Sequence, residues 1–309
     1  MKDQLISEEQ NLTEMARRTM ARRGFLRQMS AMTGAAVAGT MTGVLGSTPT
    51  ATAQTAQVPS ATDITTVKAI LNNEYMEAEF YLRIAYGTGL SAEDTSGAGP
   101  AGPVIAPQDG EVKFNSAALK AIATSLANDE LAHVRGARAT LTSFGVQPPA
   151  RPTINLQESW RTLGELAGIG NDFNPFLNEK HFLLAAYYFE ENASQVLKGV
   201  IEQTLFQPLQ SAAAGLLGDE AYHGGYVRLA LVVAGEFERT DQIAALRNRL
   251  IDRPVPTDPG LGTHSAPILA PVDANAMIFD RTGREQLNVL YLGVNANAGG
   301  FFPNGVNLA

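Results

Sequence analysis

The sequence predicts an all-α protein whose core is a bundle of four long helices. Four stretches place apolar residues at the three- and four-residue spacing of one helix face. They cover about 63–86, 116–144, 178–205 and 208–234. In each stretch an acidic residue interrupts the apolar stripe near its middle. The segment 145–177 is long enough to run the length of such a bundle, so the third helix is expected to begin at the opposite end.

The first and second helices each carry an apolar stripe that contains a glutamate. The stripe of the first helix consists of Val67, Ile70, Leu71, Glu74, Ala78 and Tyr81. The stripe of the second helix consists of Leu119, Ile122, Leu126, Glu130, His133, Ala137 and Leu141. The Gly- and Pro-rich segment 87–113 is predicted to be a loop at the tip of this hairpin. At 1.5 Å per residue, Glu74 and Glu130 both lie roughly 20 Å from the tip.

The third and fourth helices repeat this arrangement. The third stripe consists of Leu183, Ala186, Tyr187, Glu190, Ser194, Leu197 and Ile201. The fourth consists of Leu209, Leu216, Glu220, His223, Val227 and Leu231. Glu190 and Glu220 each lie roughly 20–25 Å from the turn at Gln207–Pro208. The two glutamates are therefore expected at the same level of an antiparallel hairpin.

Two copies of a Glu-x-x-His pattern stand out, Glu130 with His133 and Glu220 with His223. The chain has only 4 histidines in 309 residues, and two of them occupy this context. Residues three apart share a helix face, so each copy directs a carboxylate and an imidazole to one spot. A charged group on a core-facing stripe is costly unless it is paired or ligated. Acidic residues on four such stripes are what an internal metal site requires.

The composition limits the types of ligand that the site can offer to a metal. The chain has no cysteine, which excludes disulfides, Cys-ligated zinc, thiol nucleophiles and iron–sulfur clusters. Any metal must therefore bind His, carboxylate, carbonyl or water ligands. The net charge of −8 argues against nucleic acid and anionic membranes as partners.

The arrangement resembles the ferritin-like di-metal carboxylate proteins, in which two bundle helices give one Glu each and two give Glu-x-x-His. The resemblance covers about 63–234 and implies a ferritin-like four-helix bundle. It implies six metal ligands, which are Glu74, Glu130, His133, Glu190, Glu220 and His223. More narrowly, residues 75–82 and the closing Gly-Gly-Phe-Phe-Pro-Asn-Gly resemble an exported branch related to plant desiccation-related proteins. The activity of that branch is poorly defined.

The expected cofactor is a pair of divalent metal ions. Four carboxylates supply a charge of −4, which two divalent cations balance, and each imidazole adds one nitrogen. Such oxygen-rich ligation suits Fe or Mn, and Zn would also fit. Two alternatives stay open: Glu77 could replace Glu74 as a ligand, and Glu191 could replace Glu190.

Other residues are assigned from their spacing relative to these ligands. Asp129 and Asp219 either hydrogen-bond the histidine of the opposite copy or face solvent. Tyr81 is the candidate catalytic residue and is expected to hydrogen-bond Glu190, as a ferritin tyrosine does; an ordinary core tyrosine is the alternative. His181 and His264 lack ligand spacing, and Trp160 is expected to cover the core.

The first 53 residues have the form of a twin-arginine signal peptide. Arg22–Arg27 reads Arg-Arg-Gly-Phe-Leu-Arg, a weakly apolar run follows from about 31 to 45, and Ala51-Thr52-Ala53 offers a cleavage site. This order predicts export to the periplasm or the exterior, with no stable membrane anchor after cleavage.

The remainder is predicted to divide into a bundle, 60–240, and a C-terminal extension, 241–309. The extension is expected to contain a helix over 241–250 and another that begins at a capping box of Thr282 with Glu285. It is too rich in large apolar residues to be a disordered tail. We therefore expect it to pack on the bundle or in the contact of a homodimer.

Two functions follow from these expectations. The first is a di-iron or di-manganese redox protein that acts on peroxide or O₂ in oxidative or desiccation stress. The second is a non-enzymatic stress-protection protein in which any metal only stabilises the bundle. A storage cage is disfavoured, because the inserted loop and the long extension would obstruct packing into a shell.

Overall fold

The computed structural model describes residues 58–108 and 110–309. The predicted signal peptide, residues 1–53, lies outside this part of the chain. The described residues contain eight helices and four two-residue strands. Their order is α1 (Ala61–Tyr86), α2 (Ala92–Thr95), β1 (Val104–Ile105), α3 (Ala117–Ser143), β2 (Ile154–Asn155), α4 (Glu158–Ala167), α5 (Glu179–Gln203), α6 (Gln207–Ala234), α7 (Phe237–Ile251), β3 (Gly262–Thr263), β4 (Ala266–Pro267) and α8 (Gly283–Tyr291).

The four long helices α1, α3, α5 and α6 form the predicted bundle, which confirms the all-α class. Three of these helices begin at a residue whose side chain accepts a hydrogen bond from a backbone N–H group. Ser60 caps α1 in a capping box with Asp63, Ser116 caps α3, and Asn178 caps α5. α1 packs closely against α3, and α5 against α6, so the bundle consists of two paired hairpins.

The crossover between α3 and α5 contains a helix that the sequence analysis did not predict. α4 spans Glu158–Ala167 and ends at Gly168, whose φ of +79° is the left-handed conformation that favours glycine. The helix buries Trp160 against the bundle. Strand β2, just before α4, pairs in parallel with β1, so it ties the crossover to the loop that follows α1. Trp160 therefore covers the core, as predicted.

The C-terminal segment packs on the bundle. α7 begins at Phe237, four residues earlier than predicted, and α8 begins at the predicted capping box. Phe301 is fully buried, with its ring centroid 4.7 Å from that of Trp160 and 5.0 Å from that of Phe189. Gly199 on α5 permits a close approach, because a Cβ there would lie 2.1 Å from the carbonyl oxygen of Arg281. The aromatic core thus joins the bundle to its extension.

None of the described helices is both long enough and apolar enough to cross a membrane.

Candidate metal centre

The structure brings the six predicted ligands together in the middle of the bundle. α1 contributes Glu74, α5 contributes Glu190, and α3 and α6 contribute the two Glu-x-x-His pairs. All six side chains are buried, with exposed fractions between 0 and 9 %. They form two groups in which the candidate ligand atoms lie within 4.8 Å of one another. The groups are Glu74, Glu130, His133 and Glu220, and Glu130, Glu190, Glu220 and His223.

The first group centres on Nδ1 of His133. This nitrogen lies 3.3 Å from Oε2 of Glu74, 3.3 Å from Oε2 of Glu130 and 3.4 Å from Oε1 of Glu220. Carboxylates from three helices therefore converge on one imidazole nitrogen. Neighbouring ligands of one metal ion with bonds of about 2.0–2.2 Å lie at comparable separations.

The second group repeats this geometry around Nδ1 of His223. That nitrogen lies 3.0 Å from Oε2 of Glu190, 3.5 Å from Oε1 of Glu130 and 3.7 Å from Oε2 of Glu220. Glu130 and Glu220 face both histidines through different oxygens. These two carboxylates are therefore placed to bridge two ions, while Glu74 and Glu190 each face one.

Several buried oxygens of the centre accept no well-formed hydrogen bond, because the nearest imidazole nitrogen lies 3.3–3.7 Å away. They are Oε2 of Glu74, Oε1 of Glu130 and both side-chain oxygens of Glu220. A buried carboxylate oxygen without a partner is strongly destabilising. Divalent cations would satisfy all of these atoms at once, so the donor set fits a pair of metal ions. The assignment of the six residues as ligands stays a prediction.

Burial strongly affects the carboxyl groups of the centre. It raises the pKa of Glu190 to about 8, although the charge of His223 opposes this effect. It also raises the pKa of Glu74 well above the ordinary value, despite the imidazole of His133 that faces this carboxyl group at 3.3 Å. Burial acts in the same direction on Glu220, but the two imidazoles that face it outweigh burial and lower that pKa. Without metal, the carboxylates of the centre therefore have few positive charges beside them.

The two histidines respond in the opposite direction. Burial alone would lower the pKa of each imidazole. The negative charge of Glu130 beside His133, and of Glu190 beside His223, nevertheless raises both pKa values well above the ordinary range. Without metal, protonated imidazoles compensate part of the carboxylate charge. Metal binding must displace those protons.

The outer nitrogens of the two histidines face aspartates of the opposite helix. Nε2 of His133 lies 3.0 Å from Oδ2 of Asp219, which confirms that hydrogen bond. Nε2 of His223 lies 3.5 Å from Oδ2 of Asp129, too far for a good hydrogen bond. Each aspartate can fix the orientation of the imidazole in front of it.

Tyr81 donates a hydrogen bond to Oε1 of Glu190, as predicted. The phenol is fully buried, and burial followed by the charge of Glu190 raises its pKa well above the ordinary value. Tyr81 therefore keeps its proton and holds one oxygen of Glu190 in place, while the other oxygen faces His223.

The structure separates Glu77 and Glu191 from the six ligands. Glu77 is fully buried one turn after Glu74, and its Oε2 accepts a hydrogen bond of 2.6 Å from Asn73. Its Oε1 has no partner, and burial followed by repulsion from Glu130 raises its pKa well above the ordinary value. In the metal-free protein this raised pKa favours the protonated form of Glu77. Glu77 belongs to neither group of converging ligand atoms.

Glu191 belongs to a separate buried ion-pair network. Its carboxylate accepts from Nε of Arg228 at 2.6 Å and from Arg247. Arg247 also lies 3.5 Å from Asp258, and Asp258 accepts from Arg281 at 2.6 Å. This network connects α5 and α6 to the C-terminal segment. Since both oxygens of Glu191 are engaged, Glu191 is not an alternative ligand.

Tyr226 is a neighbour of the centre that the sequence analysis missed. It follows His223 by one helical turn, and the two ring centroids lie 5.7 Å apart. Its hydroxyl is buried without a hydrogen-bond partner. The spacing of three residues from a ligand histidine was the available signal. By contrast, Nδ1 of His181, in the first turn of α5, lies 3.1 Å from the carbonyl oxygen of Asn174, and His264 packs on Phe237.

Residues 62–232 match the ferritin-like domain family, so the chain belongs to that family. The chain is 31 % identical over 272 residues to a ferritin-like catalase of Nesocodon mauritianus, a match that covers 79 % of this chain and 83 % of that protein. It is 28 % identical over 246 residues to a desiccation-related protein of Craterostigma plantagineum, covering 71 % and 74 %. No solved structure matches it significantly. These findings confirm the resemblance to ferritin-like and desiccation-related proteins.

Proposed function

We propose that this protein binds a dinuclear Fe or Mn centre and disproportionates peroxide as part of oxidative or desiccation stress defence. The proposal rests on one observation. Each of two buried groups combines carboxylates with one imidazole, and both groups include Glu130 and Glu220. A relative named a ferritin-like catalase supports peroxide as the substrate. O₂ is the second oxidant that such a centre would accept.

The protein residues would hold the ions in a fixed and charge-balanced frame. Glu74, Glu130, His133 and Glu220 would hold one ion, and Glu130, Glu190, Glu220 and His223 the other. Two divalent Fe or Mn ions bridged by carboxylates can exchange two electrons with a peroxide. Four carboxylates neutralise two divalent ions, which permits the site to lie in an apolar core.

Two protonated side chains beside the ligands are placed to handle protons. Tyr81 holds its proton on the hydroxyl that bonds to Oε1 of Glu190. Glu77 is a fully buried carboxyl group whose Oε1 has no partner, and its raised pKa in the metal-free protein favours the protonated form. Peroxide disproportionation requires protons to be moved between oxygens, so a neutral acid beside the centre is a suitable donor. The buried aromatic core on this side excludes bulk water.

The twin-arginine pattern motivates a further part of the proposal, which is export in the folded state. A protein loaded with metal before export would keep its ions outside the cytoplasm. Fusion of residues 1–60 to a reporter, with Arg22 and Arg23 replaced by Lys in a second fusion, tests this. Export of the Lys variant at an equal level would contradict the twin-arginine route.

The experiment for the main proposal uses the mature protein reconstituted separately with Mn and Fe. We expect two ions per chain and measurable peroxide disproportionation, and we expect Glu130→Ala to lose both. Glu158→Ala on the surface of α4 is the matched control, because it removes a glutamate far from the ligands. Fewer than one ion per chain after reconstitution would contradict the metal centre. Full loading without turnover would contradict the enzymatic function.

The second candidate function is non-enzymatic stress protection, and the similarity to a desiccation-related protein favours it. In that case metal would stabilise the bundle without turnover. Loaded and metal-free protein would then differ in thermal stability while neither consumed peroxide.

A further inference from the structure

A pair of aspartates lies at the outer side of the centre, between α3 and α6. The side chains of Asp129 and Asp219 are 29 % and 43 % exposed, whereas that of His223 is 2 % exposed. Nε2 of His223 lies 3.5 Å from Oδ2 of Asp129 and 3.6 Å from Oδ2 of Asp219. These three atoms form a third group, distinct from the two that contain the glutamates. It connects the buried centre to solvent.

Nε2 of His223 makes no hydrogen bond although it is buried. The histidine as a whole is 1 % exposed, so water does not solvate this nitrogen freely. Both nearby oxygens have other donors, since Asp129 accepts from Ser125 at 3.0 Å and Asp219 from His133 at 3.0 Å. A buried polar nitrogen aimed between two carboxylates therefore lacks the partner that its position requires.

We propose that Asp129, Asp219 and Nε2 of His223 form an outer site for a divalent cation, through which metal ions enter the centre. Two carboxylate oxygens and one imidazole nitrogen match the ligand preferences of Mn, Fe and Zn. Ligand atoms about 3.0–3.5 Å apart are what bonds of about 2.1 Å produce around one ion. Small movements of the exposed aspartates are sufficient to close this geometry. Water would complete the coordination on the exposed side.

The chemistry of imidazole makes this a transient binding site, which an ion leaves when it moves to the inner centre. A neutral imidazole offers a lone pair at only one of its two nitrogens. His223 therefore binds the outer ion through Nε2 or an inner ion through Nδ1, but not both. An ion at the outer site displaces any proton on Nε2. Once Nδ1 holds an inner ion, Nε2 is protonated and the outer ion loses its nitrogen ligand. Binding of His223 to an outer ion and binding to an inner ion are thus alternative states, as an ion passing from one site to the other requires.

The destination of the ion rests on the proposed dinuclear centre, but the outer site can be tested without it. The variant Glu130→Gln/Glu220→Gln removes the two carboxylates that both inner groups share and leaves the three outer ligands. We expect this variant to bind one Mn²⁺ per chain, measured by the loss of the free-ion electron paramagnetic resonance signal. Addition of Asp129→Asn and Asp219→Asn should abolish that binding.

A nitrogen coupling to the bound Mn²⁺ in electron spin-echo spectra is expected as well, and His223→Gln in the same background should remove it. Absence of bound Mn²⁺ in the Glu130→Gln/Glu220→Gln variant would overturn the outer site. Equal binding with and without the two aspartates would overturn it too. Neither result depends on turnover, so the outer site and the enzymatic function fail separately.

The role in loading is tested in the protein with an intact centre. Asp129→Asn/Asp219→Asn should take up Mn²⁺ at least tenfold more slowly and still reach two ions per chain at saturation. Asparagine keeps an oxygen that can accept from His133 and Ser125, so the histidines stay oriented. Glu158→Gln/Glu165→Gln on α4 removes the same net charge from exposed positions and is expected to leave the rate unchanged. An unchanged uptake rate in the aspartate variant would overturn the loading role.

Circular dichroism checks that each variant folds. If the double aspartate variant lacks native helicity, Asp129→Asn alone supplies the same uptake test, because the good hydrogen bond of His133 to Asp219 is then kept. A threefold or greater slowing in the single variant would support the proposal, and an unchanged rate would overturn it.

Discussion

Nε2 of His133 on α3 lies 3.0 Å from Oδ2 of Asp219 on α6, whereas Nε2 of His223 on α6 faces Oδ2 of Asp129 on α3 at 3.5 Å. Each helix places its aspartate in front of the histidine of the other helix, because an Asp directly precedes each Glu-x-x-His. The Asp and the Glu are adjacent in sequence and point in different directions. The Glu points into the buried centre, and the Asp faces the outer edge of the opposite imidazole.

The first prediction concerns this hydrogen bond. Asp219→Ala should weaken metal binding at equilibrium by about 10- to 100-fold, because the imidazole loses the partner that orients it. Asp219→Asn should weaken it less, since the amide oxygen still accepts from Nε2. Asp129→Ala should have the smaller effect of the two alanine variants, because its distance to His223 is 3.5 Å. Competition with a calibrated metal chelator measures the constants, and equal loss in Asp129→Ala and Asp219→Ala would contradict the argument.

The second prediction contrasts two adjacent glutamates on α5. Glu190→Gln should abolish binding at the ion it faces, yet stabilise the metal-free protein, because burial raises the pKa of this carboxyl to about 8. Glu191→Gln should keep two ions per chain but destabilise the protein by about 3–5 kcal/mol, since it leaves Arg228 and Arg247 buried without their counter-charge.

Urea unfolding and metal analysis of both variants measure these effects. Each variant is the control for the other, because the substitution and the helix are the same. Destabilisation of the metal-free protein by Glu190→Gln, or loss of metal in Glu191→Gln, would contradict the division of roles.

Helical periodicity and helical rise are local properties. The sequence was therefore sufficient to predict the bundle and to predict that the six candidate ligands lie at one level along it. The apolar stripe favoured Glu190, but it could not exclude Glu191, which is the next residue on the same turn. The two glutamates differ in their partners, because Glu191 forms ion pairs with two arginines. Arg228 reaches Glu191 from α6 and Arg247 reaches it from α7, and both contacts form only when distant parts of the chain pack together.

The missed helix α4 has a different cause. Its ten residues have a clear amphipathic pattern, but the pattern spans fewer than three turns and lies between Pro- and Gly-containing segments. Trp160 on this helix is held by aromatic rings of α1, α5 and the C-terminal segment. The two-residue strands are too short to show any alternation. Contacts distant in sequence thus determine the elements that periodicity cannot predict.

The third prediction concerns the pH dependence of the metal-free protein. Glu190 has a folded pKa of about 8, above its unfolded value near 4.5, so the protonated form is favoured by folding. The associated stability is present below about pH 4.5 and is lost as the pH rises toward 8, with at most about 1.4 kcal/mol lost per pH unit for one proton. The raised pKa of His223 acts in the same direction above about pH 6.5.

Unfolding midpoints between pH 5 and 8 should therefore fall in the metal-free protein. They should stay nearly level in the loaded protein, where ions replace the protons. Glu190→Gln should flatten the slope of the metal-free protein. A midpoint that rises across this range without metal would contradict the assignment.

The fourth prediction concerns Tyr81. Tyr81→Phe removes the donor to Oε1 of Glu190 but keeps the buried ring, so two ions per chain should still bind. If the phenol handles protons, peroxide turnover should fall by about 10²-fold, the lower range for general acid–base catalysis. Tyr187→Phe is the matched control, because that buried hydroxyl bonds only to the carbonyl of Pro259 away from the centre. Equal turnover in Tyr81→Phe and the wild type would contradict the catalytic role.

The fifth prediction tests whether the C-terminal segment stabilises the bundle. Phe301 is fully buried and packs on Trp160 and Phe189, the residue before Glu190. Phe301→Ala should lower the free energy of unfolding by about 3–5 kcal/mol, through lost burial and the cavity that remains. Phe301→Leu should cost much less because it fills most of that space.

Leu308→Ala is the surface control, since Leu308 is 43 % exposed and its loss should change stability by at most about 0.5 kcal/mol. Urea unfolding of the metal-free proteins measures all three variants. Because ions bind the folded state, saturating metal should restore part of the stability of Phe301→Ala and leave its stoichiometry at two. A cost below about 1 kcal/mol for Phe301→Ala would show that the segment lies on the bundle without supporting it. Restored stability with fewer than two ions would instead show that Phe301 also positions Glu190 through Phe189.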